Sequence, residues 1–276
     1  MTTSPNEEGM YLPNRDSAVL SSAIATGQIG APGSNTGCNT ADKGINIGVE
    51  TRRIREVYEQ RSRVSRRTGE TSLDLYEQCA IHEREELLVK IFRNEGVTTL
   101  AGLRILDVGC GTGTLLRHLF DFGAEPENCW GVDVLDTRLR VAKHLAPNVR
   151  FVFANSAELP FPDESFDLVL QFTVFTSVLS PQLKRRMASE IVRTLRRGGR
   201  FIWYDFSYDN GRNANVRGIG RREIRLLLPG CRLRFWRVTV APPIGRPAAR
   251  LYPFLYRVVS ELRVLCSHYM CLAEKL

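Results

Sequence analysis

Three glycines at alternate positions, Gly109, Gly111 and Gly113, follow the apolar run Ile105-Leu106-Asp107-Val108. They precede Leu115-Leu116-Arg117-His118-Leu119-Phe120, whose apolar residues have helical spacing. The pattern describes a buried strand, a glycine turn through Cys110, and a helix. Glycine lets backbone approach a ligand where a Cβ would block it. The free N–H groups and positive end of the helix then face whatever binds at the turn. The spacing G-x-G-x-G is one residue shorter than the dinucleotide fingerprint G-x-G-x-x-G. Asp107, two residues before Gly109, would repel a pyrophosphate and suits a ligand bearing an ammonium group. Twenty residues past Gly113, the run Cys129-Trp130-Gly131-Val132 ends in Asp133, followed by Val134. An acid at the end of a second strand can accept both hydroxyls of a ribose.

Leu106-Asp107-Val108-Gly109-Cys110-Gly111-Thr112-Gly113 resembles the first motif of class I S-adenosylmethionine-dependent methyltransferases. Asn155-Ser156-Ala157-Glu158-Leu159-Pro160-Phe161-Pro162-Asp163-Glu164-Ser165-Phe166-Asp167 resembles the adenine loop and fourth strand of the ubiquinone/menaquinone-type small-molecule group. The resemblance covers about 102–204; beyond it only the order of elements matches. It implies S-adenosylmethionine as cofactor, held by Asp107, Gly109, Cys110, Gly111, Gly113, Asp133, Val134, Asn155, Ser156 and Gln171. The family more often has Asp-Ala where this chain has Asn155-Ser156. The amide oxygen of Asn155 can still accept from an adenine amino group, through a neutral bond.

A sulfonium methyl is already activated, so the protein must chiefly align donor and acceptor. A hydroxyl acceptor also calls for a general base. Ligands of open α/β sheets lie at the carboxyl ends of the strands, which puts the acceptor over strands four and five. Phe172, Tyr204 and Asp205 are there, and the polar stretch 205–220 follows with Tyr208, Asn213 and Arg217. Asp205 is the candidate catalytic base; its alternative role is to cap a turn. By resemblance, the helices before the core cover the ligand site and bring Tyr58, Tyr76 and His82 to the substrate.

These residues need a frame, and the remaining pattern supplies it. Residues 1–48 are rich in Ser, Thr, Asn, Gly and Pro without a sustained period, and read as a disordered extension. Residues 49–100 hold two helices, over 50–67 and 72–94, as an N-terminal cap. Residues 101–276 alternate strand and helix, which predicts a doubly wound Rossmann-like sheet. The resemblance implies seven strands, the last antiparallel. Asp136 is the expected N-cap of the helix after the second strand, and 250–265 is expected to form one amphipathic helix.

Composition narrows the function. No apolar run approaches a membrane span, and no signal-peptide pattern opens the sequence, so a cytoplasmic location is expected. Seven cysteines without C-x-x-C and four dispersed histidines give no metal-ligand spacing. From Arg196 to Arg257 there are fourteen arginines against three acids, which reads either as a solvated face or as a surface for an anionic partner. The expectation is methyl transfer to a small-molecule acceptor, polar or anionic, with a hydroxyl of a natural-product or glycan-pathway intermediate as the expected target. The alternatives are an RNA methyltransferase, a dehydrogenase opposed by Asp107 and the glycine spacing, and a non-catalytic S-adenosylmethionine-binding protein. Strand four ends without the Asn/Asp-Pro-Pro-aromatic or Pro-Cys motifs of base methylation, so no nucleic-acid partner is expected.

Overall fold

The computed structural model describes residues 47–68, 74–209, 211 and 213–276. Apart from 47 and 48, the extension expected to be disordered lies outside these residues, as do Ser72, Asn210 and Arg212. Two helices come first, α1 (Ile47–Thr68) and α2 (Leu75–Asn94). Asp74 caps α2 by accepting the Tyr76 N–H at 2.9 Å. Gly96, just past its end, takes the left-handed backbone that a helix stop requires (φ 71°).

Seven strands follow: β1 (Ile105–Val108), β2 (Cys129–Asp133), β3 (Arg150–Phe153), β4 (Phe166–Phe172), β5 (Leu195–Phe206), β6 (Cys231–Val240) and β7 (Cys266–Lys275). Between them run α3 (Thr114–Phe120), α4 (Asp136–Leu145), α5 (Pro181–Thr194), α6 (Arg221–Leu227), α7 (Pro242–Leu251) and α8 (Pro253–Glu261). The sheet order is β3-β2-β1-β4-β5-β7-β6. Strands β1 to β5 pair in parallel, and β7 is antiparallel to both β5 and β6. The order reverses at β1, where α/β sheets open a crevice at their carboxyl ends.

Alternation along each strand sorts the core into two layers. Leu106, Val108, Trp130, Val169 and Trp203 pack on one face with α5 and α6. Ile105, Leu168, Leu170, Ile202 and Tyr204 pack on the other with α2 and α3. Buried on both faces, β1 is apolar except at Asp107.

Two boundaries differ from the expectation. The segment expected as one helix over 250–265 is broken, because Pro253 forces Tyr252 into extended backbone (φ −154°, ψ 131°) and starts a new helix. The N-cap of α4 is Leu135 rather than Asp136. Asp133 Oδ1 accepts the Leu135 N–H at 2.9 Å, while Asp136 pairs with Arg140 one turn on.

Candidate functional site

The turn after β1 is built as its glycines require. Gly109 has φ 76°, and a Cβ there would lie 2.4 Å from a Val174 methyl. Gly113, the N-cap of α3, has φ 72°, and a Cβ would press on the Phe151 ring at 2.9 Å. The Gly109 and Cys110 N–H groups both donate to Val132 O, tying the turn to β2. The Cys110 side chain is buried behind the turn, and burial pushes its thiol far above the usual range. Cys110 therefore shapes the turn and offers no thiolate.

Two carboxylates flank it. Asp133 Oδ2 accepts the Gly111 N–H at 2.9 Å, so the end of β2 holds the glycine turn directly. Burial raises its pKa, while the amides of Gly111 and Leu135 and the charge of Arg138 oppose the rise. A carboxylate has about four acceptor sites, so capacity remains for a hydroxyl donor. Asp107 is 2% exposed and its pKa is pushed up to about 8, first by burial and then by the Asp133 charge. No hydrogen bond from a described residue offsets that rise. A buried acid without a protein partner is costly, and a ligand ammonium would supply the missing partner.

Beside the turn lies a cavity of about 130 Å³ lined by Gly109, Asp133, Val134, Asn155, Ser156 and Phe172, among others. Helix α1 closes it with Thr51, Ile54 and Tyr58. The Tyr58 hydroxyl is 2.8 Å from Ser177 Oγ, and the Arg138 guanidinium lies 4.8 Å from the centre of its ring. Asn155 donates to Thr51 Oγ1 at 3.2 Å and accepts the Ala157 N–H at 3.0 Å, which leaves one lone pair on its amide oxygen.

Helix α1 is clamped over a short helical turn, Phe175–Ser177, that follows β4. Arg53 donates to Ser177 O at 2.6 Å and, across the gap, to Asn215 Oδ1 at 3.3 Å. Glu50 accepts the Leu179 N–H at 2.6 Å, and its bond to Arg53 holds its carboxyl below the usual range. The loop after β5 reaches the same turn, where the Arg217 N–H donates to Thr176 O at 2.8 Å. Thr173, at the mouth of β4, has φ 59°, a strained value for a β-branched residue. Its N–H is held by Tyr204 O at 2.7 Å.

The comparisons bear on this geometry. Residues 106–203 match the family model for a methyltransferase domain. This stretch, about a third of the chain, is similar to methyltransferase domains. The ubiquinone/menaquinone biosynthesis C-methyltransferase UbiE of Bartonella bacilliformis is 31% identical over 131 residues, covering 44% of this chain and 49% of that protein. The phthiotriol/phenolphthiotriol dimycocerosates methyltransferase of Mycobacterium tuberculosis is 36% identical over 113 residues, covering 40% of each. The chain thus spans half or less of the length of these two relatives. The putative methyltransferase solved in complex with the Haloferax volcanii Trm112 methyltransferase activator shares the fold, with a TM-score of 0.59 at 19% identity, covering 80% of this chain and 96% of that one.

The expected residues fall into three groups. Gly109, Asp133, Val134, Asn155, Ser156, Phe172 and Tyr58 line the cavity, while Cys110, Gly111 and Gly113 belong to the turn that continues from Gly109, and Asp107 to the strand before it. These residues fit S-adenosylmethionine: an unpartnered acid for its ammonium, a strand-end acid for its ribose and an amide for its adenine.

A second group lies beneath the site. Asp205 is 1% exposed, and its carboxylate accepts from Gln171 Nε2 at 3.1 Å, Phe175 N at 3.1 Å and Thr176 Oγ1 at 2.5 Å. Burial pushes its pKa up to about 7 against those bonds. Asp205, expected as a base, is here engaged in fastening the 175–177 turn from below, the turn-holding role that was its alternative. Gln171, which also accepts the Val174 N–H, belongs to the same network and is not among the residues lining the cavity.

The third group points elsewhere. The Tyr204 ring is buried, stacked 4.7 Å from His268 and bonded to Thr239 Oγ1 at 2.8 Å. Tyr76 is buried against α7 and α8, with its hydroxyl donating to Val240 O. His82 is exposed and pairs with Glu86. It lines a larger groove of about 1210 Å³ between α2, β6 and α8, which holds none of the glycine-turn residues. Tyr208 and Arg217 are exposed, and Asn213 accepts the Asn215 N–H; they lie on the loop rather than in the cavity. Sequence reasoning missed Thr51, Glu50, Arg53 and Arg138. The signal for the first three was polar residues on the inward face of a helix otherwise read as an apolar stripe.

The basic half also resolves into pairs. Arg196 and Arg104 meet Asp167, Arg200 and Arg234 meet Glu95, Arg232 meets Glu274, and Arg257 meets Glu86. Much of the arginine excess is therefore spent inside the fold's own surface. No helix among the described residues is long and apolar enough to cross a membrane.

Proposed function

We propose that this chain transfers the methyl group of S-adenosylmethionine to a small-molecule acceptor seated over the ends of β4 and β5. The observation that carries the reading is the pair of acids around the glycine turn: Asp107, buried without a partner, and Asp133, fixed to Gly111 with acceptor capacity to spare. The cofactor supplies a sulfonium methyl ready for in-line displacement. Asp107 holds and neutralises the ammonium end. Asp133 receives the ribose hydroxyls, and Asn155 marks the adenine end. Tyr58 and Ile54 of α1 exclude water from above, with Arg138 packed on the Tyr58 ring.

On the acceptor side, Phe172, Thr173 and Val174 line the cavity, and none is a base. A simple alcohol would need one. We therefore narrow the hydroxyl expected from the sequence to an acidic, phenol-type hydroxyl that ionises without help from the protein. The test is incubation with methyl-labelled S-adenosylmethionine and a panel of phenols, alcohols and sugars. Label on phenolic oxygen supports the reading. Label on ring carbon moves the acceptor atom, label on sugar alcohols refutes the base-free site, and tight cofactor binding without any transfer favours the non-catalytic alternative.

A further inference from the structure

The crossover from β6 to β7 is made of helices α7 and α8. Strand β6 runs in the same direction as β5, since both are antiparallel to β7, and β5 is parallel to β4 and through it to β1. Val240 therefore ends at the same edge of the sheet as Val108 and Phe172. The two helices stand on the edge that carries the cofactor turn.

Their inner face is closed: Gly245, Ala248, Ala249, Tyr256 and Ser260 are buried. Their outer face is apolar. Leu251, Tyr252, Phe254, Val258, Leu262 and Val264 are each between 48% and 77% exposed. Phe254 and Val258 are four residues apart on one side of α8, and Leu262 follows just past its end. Single exposed apolar residues are ordinary, whereas a cluster of this kind marks a surface that meets something.

Charge indicates what it meets. From Pro242 to Val264 the chain has Arg246, Arg250, Arg257 and Arg263 against Glu261 alone. Arg257 and Arg263 turn back to Glu86 and Glu83 on α2. Arg246 lies over the Tyr76 ring, and Arg250 is exposed. Exposed apolar side chains rimmed by arginine are the pattern of a helix lying in a membrane interface. A second copy of the chain fits less well, because a two-fold contact would set the arginines of one face against those of the other.

We propose that α7 and α8 dock this protein on an anionic lipid surface. Phe254, Val258, Leu262 and their neighbours enter the boundary between headgroups and acyl chains, and Arg246 and Arg250 meet lipid phosphates. The docking needs no methyl donor, so it stands or falls separately from the proposed reaction.

The test is flotation of the full chain with vesicles of phosphatidylcholine alone or mixed with phosphatidylglycerol. The chain should float with the mixed vesicles, and less so as salt is raised. Phe254→Ser combined with Val258→Ser, and separately Arg246→Glu combined with Arg250→Glu, should each lower partitioning roughly tenfold or more. All four positions are exposed, so the thermal transition should stay in place. Absence of any preference for the anionic vesicles would overturn the proposal, as would folded variants that float like the parent. Vesicle-free self-association abolished by the Phe254/Val258 pair would assign the face to a second copy and overturn it too.

Discussion

Replacing Asp107 by asparagine tests the donor site where its chemistry is most exposed. Asp107 is buried, and its pKa is pushed up to about 8 by burial and the Asp133 charge. At pH 7 the acid is then about nine-tenths protonated, and ionising it costs about 1.4 kcal/mol, one pKa unit. A ligand ammonium needs the ionised form, so binding at pH 7 should release close to one proton from the protein. Calorimetry in two buffers of different ionisation enthalpy, with S-adenosylhomocysteine as ligand, measures that release directly. In Asp107→Asn it should vanish. The affinity loss should also depend on pH. A hydrogen bond to a charged group contributes about 1.5–3 kcal/mol; less the ionisation cost, the variant should lose about 0.1–1.6 kcal/mol at pH 7. Near pH 8.5 nearly the whole contribution should be lost. Stability of the free protein should follow the opposite sign. A carboxylate whose folded pKa is raised contributes stability that is fully present below its unfolded value and is lost as pH rises through about 8. That slope should flatten in Asp107→Asn. Proton release that persists in the variant, or none in the parent, would refute the assignment of Asp107 to the ammonium.

Asp133→Ala should weaken S-adenosylmethionine binding by about 1.5–3 kcal/mol in calorimetry, through lost ribose bonds and a loosened Gly111. Asp205→Asn should lower unfolding stability by about 1–3 kcal/mol in a denaturant titration, since it breaks a buried network, while cofactor affinity stays within a few-fold; an equal effect on both would return Asp205 to the site. Glu50→Gln should speed cofactor release roughly three- to tenfold in stopped flow by unfastening α1. Because Glu50 is held below its usual range by Arg53, the clamp should be whole above the ordinary carboxylate pKa and fail as pH falls through the lower folded value. Removal of residues 1–46 should leave the thermal transition in place, whereas a start at Thr51 removes Glu50 and should lower it.

The sequence showed the cofactor side well because that side is written in local order. A strand, a glycine turn and a helix place Asp107, Gly109 and Asp133 with little help from distant contacts. The acceptor side was read less well, for a reason visible in β4 and β5. Gln171 and Asp205 sit on one face of the sheet, and Phe172 and Tyr204 on the other, so residue type at a strand end does not say which neighbour meets the cleft. Tyr76 was carried to the site by its place in the cap, but α2 packs against β6 and α7, and of the two cap helices it is α1 that lines the cavity. Glu50 and Arg53 were invisible because their partners, Leu179, Ser177 and Asn215, lie more than a hundred residues away.

The turn at 175–177 is held from three directions: from above by Arg53 and Tyr58, from below by Asp205, and from the side by Arg217. Closing α1 over the donor and ordering the loop that faces the acceptor therefore draw on one hinge point. Two ligands that each steady the same element must assist one another, and linkage makes the assistance mutual: whatever factor the donor adds to acceptor affinity, the acceptor returns to the donor. Saturating one should sharpen the binding curve of the other, a cooperativity written into the hold on that one turn.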